Sequence, residues 1–164
     1  MSEPLASWSE FNVAMVGATA ALAGLLIVAM SVNIAEIMKS ATLPPRAASS
    51  IAALVLAITA GAFGLIPGQP VVAYGIEVLI AALVAGIFQV HAIRVVAGER
   101  HVAPTERVLK SVAGVLPVAA FLAGAVLVIA GTVEVGLIVM AVGSVLSIIA
   151  ALIIAWVVLV EVLR

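Results

Sequence analysis

Residues Phe11 to Met38 read FNVAMVGATAALAGLLIVAMSVNIAEIM, without one basic side chain. A run of ~20 apolar residues already crosses a bilayer as helix, and this one is longer. Its polar side chains are ordered along it. Asn12, Thr19, Leu26 and Asn33 stand seven residues apart, and so fall near one line along a helix. Close beside it runs a line of small residues: Gly17, Ala20, Ala21, Gly24, Ser31 and Ala35. Lipid does not select such a pattern, whereas another helix or a water-filled path does.

Composition points the same way. The chain has 164 residues, 66% of them hydrophobic and 9% charged, where soluble domains carry roughly a quarter charged. Mean hydropathy is +1.42. An all-α integral membrane protein is expected, a single membrane domain over 1–164 with no room for a separate soluble catalytic domain. The chain has no cysteine, which excludes a disulfide framework and thiolate metal sites. A net charge of −1 gives no nucleic-acid footprint. The leader MSEPLASWSE is acidic where a cleavable signal peptide is basic, so the first span is expected to be retained.

Turn signals divide the rest into a bundle of five transmembrane helices, with spans of about 11–38, 47–66, 71–97, 108–130 and 136–163. Ser7-Trp8-Ser9-Glu10 fits a capping box before the first span, with Trp8 at headgroup level. Pro44-Pro45 suits the first turn of the second span, which needs no amide hydrogen. Pro67-Gly68-Gln69-Pro70 ends that span. Gly98 is expected to cap the third and Thr105 to open the fourth, which Pro117 should bend. Five spans place the termini on opposite sides. All seven basic residues (Lys39, Arg46, Arg94, Arg100, Arg107, Lys110 and Arg164) then belong to one face. The positive-inside rule makes that face cytoplasmic and the N-terminus external.

Few residues could carry chemistry, and each has a second reading. Glu77 lies roughly 9 Å inside the third span at 1.5 Å per residue. It either binds a cation or relays a proton, or it reaches the headgroups or bonds Tyr74. Gln89, His91 and Arg94 form a polar group in the inner third of the same span. Glu36 lies at similar depth and is the natural partner of Arg94. That tie with His91 is either a proton-responsive gate or a structural pin. Two histidines without H-x-x-x-H or E-x-x-H spacing offer no metal site, and no cofactor is implied. There is no G-x-S-x-G, H-E-x-x-H or Walker lysine loop, so an enzyme is not expected. Gly143-x-x-x-Ser147-x-x-x-Ala151 is a small-residue packing face, as are Gly17 and Gly24.

Trp8-x-x-Phe11 followed by GATAALAGLLIVAMSVNI, Gly17 to Ile34, resembles the first span of small multi-span bacterial membrane proteins common in actinobacteria. Some of these are automatically labelled modulators of the membrane protease FtsH. The resemblance implies a bacterial inner-membrane location and carries over no functional residue. The expected role is accessory or regulatory. It would be exerted in the lipid bilayer through helix contacts in a homo-oligomer or with a membrane-protein partner. The alternative is a small oligomeric ion channel or transporter, with the first span lining the path and Leu26 as its constriction.

Overall fold

The proline pair opens a helix at its first turn, as the sequence suggested. In the computed structural model, which describes residues 3–98 and 104–162 and side chains over 4–98 and 114–157, that helix is α4, Leu43–Gly64. Pro44 and Pro45 occupy its first turn, where four backbone donors have no intrahelical acceptor in any case. The span therefore starts four residues before the expected position 47. Before it come α1 (Glu3–Ala6), α2 (Ser9–Val32) and α3 (Ile34–Ile37). After it come α5 (Val71–Gly98), α6 (Pro104–Ile129) and α7 (Val133–Val162). All regular structure among the described residues is helical.

Local chemistry explains most of the boundaries, and it corrects several expectations. The capping box does not form. Trp8 stands at the N-cap without a side-chain cap bond, and the Ser7 hydroxyl turns back to donate to Pro4 O at 2.8 Å. The long first run is broken at Asn33, whose Nδ2 donates to Ala29 O at 3.0 Å. That carbonyl is the one the Asn33 amide would use in a continuous helix, so side chain and backbone compete for it. Gly98 is the last residue of α5 and not a cap beyond it. Thr105 lies inside α6, which starts at Pro104. Left-handed glycines make the two tight turns, Gly68 at φ 75° and Gly131 at φ 92°, a region nearly closed to other residues.

Among the described residues, four helices are long and apolar enough to cross a membrane: Ser9–Val32, Leu43–Gly64, Val71–Gly98 and Val133–Val157. In α6 the described apolar stretch, Gly114–Ile129, is shorter. The bundle is centred on α4, which packs against α2, α5, α6 and α7. It has the lowest mean hydropathy of the four, 1.8 against 2.3 to 2.9, and it is the most buried. Its Ala, Ser and Gly side chains let four neighbours approach, and the bulkier apolar side chains are left to face lipid. The main core joins Leu56 and Ala60 of α4, Tyr74 and Val78 of α5, Phe121 of α6 and Met140 of α7. Leu5 of α1 plugs its end at 0% exposure. By contrast, α2 lies at the edge, in contact with α4 and α7.

Candidate functional site

The polar line of α2 faces the bundle. Asn12, Thr19 and Leu26 are buried, while Asn33 at the helix break is half-buried. Asn12 lies over Gly64 of α4, so closely that a Cβ there would stand 2.6 Å from its Nδ2. One turn away, a Cβ on Gly61 would meet Val16 Cγ2 at 2.6 Å and the Asn12 carbonyl at 3.4 Å. These two glycines fix the α2–α4 crossing. Thr19 donates to Met15 O at 2.6 Å within its own helix. Leu26 packs with Ala23, Leu54 and Ala151. Between Asn12, Tyr74 and Ser144 lies a pocket of about 20 Å³, room for a single water. The small-residue line, in contrast, faces outward. Gly17, Ala20, Ala21, Gly24, Ser31 and Ala35 are all exposed, and a Cβ on Gly17 or Gly24 would meet nothing within 4 Å.

The expected polar group of α5 is split. Gln89 is buried, whereas His91 and Arg94 point out of the bundle and are exposed. Glu36 is not tied to Arg94. It takes Lys39 instead, Nζ to Oε1 at 2.7 Å, with both side chains at least half exposed. Three residues apart across the end of α3, they meet without reorganising anything, whereas α3 itself packs on α2 and α7. Glu77 is half-buried and accepts from Gln69 Nε2 in the preceding turn. It is not bonded to Tyr74, whose hydroxyl reaches the Met140 sulfur at 3.5 Å. Gly143 packs on Phe121 and Ala120 of α6, and Ser147 is fully buried, so that face is used within the chain. Among the described residues no group of three His, Asp or Glu comes together as a metal site.

One further cluster was not singled out from the sequence. Arg46, Ser49 and Ser50 of α4 are buried and line a cavity of about 300 Å³ with Gln89 of α5 and Gly114 of α6. Its remaining wall is apolar and comes from α5 and the end of α7. Ser49 donates to Arg46 O at 2.8 Å. Ser50 Oγ is buried without a hydrogen-bond partner. Gly114 is a requirement of the Gln89 amide, which would lie 2.6 Å from a Cβ at that position.

No family model, curated protein or solved structure matches this chain. The reading therefore rests on the geometry. Arg46, Ser49, Ser50 and Ala53 stand at i, i+3, i+4 and i+7, one face of a helix. That signal was present, and it was lost by placing Arg46 in a link. His101, Arg100 and Arg164 lie outside the described residues, as do the side chains of Thr105, Arg107 and Lys110.

Proposed function

We propose that this is a non-enzymatic, five-span inner-membrane protein that works by helix contact, first of all with a second copy of itself. The exposed outer face of α2 carries the proposal. A helix seated on one side by Asn12, Thr19 and Leu26 presents Gly17 and Gly24 on the other, with nothing against them. Glycine inside a helix costs roughly 1 kcal/mol relative to alanine, and close approach of another backbone is what repays it in lipid. The same burial pattern supports the contact reading over a channel lined by α2, because its polar line is covered by α4.

The fifth span is α6. At 26 residues and 1.5 Å per residue it is about 39 Å long, and the tight turn at Gly131 folds it back along α7. Lys39, Arg46 and Arg94 then stand at one end of the bundle, which the positive-inside rule makes cytoplasmic. The test is energy transfer between donor- and acceptor-labelled copies in vesicles. The parent chain associates, and the Gly17→Leu, Gly24→Leu pair abolishes transfer without changing the stability of the single chain. A parent chain that stays monomeric at every density overturns the reading.

A further inference from the structure

We infer that the cavity between α4, α5, α6 and α7 is a binding site for a small neutral molecule, mostly hydrocarbon, that carries one hydrogen-bonding oxygen as a hydroxyl or a carbonyl. This site is separate from the contact face of α2 and does not depend on it.

Ser50 calls for the oxygen. A serine or threonine inside a helix commonly returns its hydroxyl to a carbonyl of the preceding turn. Thr19, Thr59, Ser144 and Ser147 each donate to the carbonyl four residues back, and Ser49 donates to Arg46 O, three back. Ser50 does not. It is 5% exposed, its Oγ has no partner, and it lines the cavity. A buried hydroxyl without a partner costs stability. Rotation about its own bonds lets it meet whatever fills the space beside it, as donor or as acceptor. One such hydroxyl matches one neutral oxygen. Ser50 lies about 10 Å into α4 from Leu43 at 1.5 Å per residue, a depth at which an ionised ligand would be costly in a bilayer. Arg46, in the same wall, already has an interaction of its own.

The rest of the wall calls for hydrocarbon. Ala92 and Val96 of α5 line it together with Ile154 and Val157 of α7, and its rim reaches Ile153, which is 44% exposed. A ligand can therefore enter sideways from the bilayer. A volume of about 300 Å³ is at the lower limit of small-molecule sites, roughly 300–1,000 Å³. At ~30 Å³ for a group the size of a water it takes about ten of them, an alcohol of about eight carbons. Two sources carry this chemistry: a free alcohol or ketone dissolved in the membrane, and one chain of a bilayer lipid with its ester carbonyl.

Photolabelling tests it on the parent chain in phosphatidylcholine vesicles, with the diazirine-bearing alcohol 3-azioctanol as probe. The expected crosslinks fall at Ala92–Val96 and Ala150–Val157. Excess octanol displaces them, and octane at the same membrane concentration, with the same chain and no oxygen, does not. A second arm uses phosphatidylcholine bearing the diazirine on one chain. Label at the same walls that octanol displaces identifies the bilayer lipid as the source, and no label there identifies the free molecule. Ser50→Ala lowers azioctanol labelling about fivefold, the scale of one lost hydrogen bond. Without ligand the same variant unfolds in sodium dodecyl sulfate no earlier than the parent, because the hydroxyl it deletes bonds nothing. Crosslinks spread along lipid-facing positions such as Leu83 and Val84 overturn the site. Displacement by octane, parental labelling of Ser50→Ala, or its earlier unfolding overturns the recognition of an oxygen by Ser50. The map and the competition use the parent chain, so a variant that fails to fold leaves them intact.

Discussion

Glycines that look alike in the sequence do different work. A Cβ on Gly136 would stand 2.7 Å from the Gly124 carbonyl and 2.9 Å from the Val128 amide nitrogen. Backbone cannot step aside as a side chain can, so Gly136→Ala must part α6 from α7. We expect a loss of about 1–3 kcal/mol, the usual cost of overpacking, in unfolding by sodium dodecyl sulfate. Gly17→Ala, with open space around it, should change single-chain stability by less than about 1 kcal/mol. Glu77 offers a second comparison. Gln69→Leu removes its donor, and an acceptor left half-buried costs about 1–3 kcal/mol. Glu77→Gln keeps an acceptor in the same place and should lose less. Equal losses in the same unfolding assay would show that the pair does not act through this bond. That these residues would matter was legible, because polar and small side chains inside an apolar run need a reason. Which partner each would find was not, since Gln69 is nearest to Glu77 only after the Gly68 turn is folded.

At the scale of the helix, Leu26 separates packing from conduction. It sits at 4% exposure between Leu54 of α4 and Ala151 of α7. Leu26→Asn should therefore cost about 2 kcal/mol or more, as truncation of a packed leucine does, while vesicles stay tight to ions. A variant of parental stability that leaks ions would restore the channel. The existence and order of the long helices could be read from apolar runs and turn residues. The centre of the bundle could not. Hydropathy ranks preference for lipid over water, but lipid and protein interior are equally apolar. In a bilayer, burial follows small side chains, so the least hydropathic span, α4, became the core. The cavity was hidden for another reason: the span starts at Leu43, four residues before the expected 47, and so carries Arg46 inside.

For the molecule as a whole, sidedness is the first quantity to measure. The chain has no cysteine, so single probes need no silent background. Pro67→Cys and Thr132→Cys, both at exposed turns, should react with an impermeant thiol reagent from outside. Lys39→Cys, 71% exposed, should react only after the vesicle is opened, and the reverse pattern would invert the orientation. The place of α2 at the edge also bears on how the chain is made. Synthesis delivers the N-terminal helix first, yet Leu26 packs against Ala151, near the far end of the chain. Until α7 has been made, α2 can seat on α4 but lacks the smaller part of its seat, the one that α7 provides. Its side chains are suited to waiting. Thr19 already donates to Met15 O, Ser31 to Ile27 O and Asn33 to Ala29 O, each within its own stretch of chain. The first helix to arrive is thus among the last to complete its packing, because its α7 contact closes only when the chain is nearly finished.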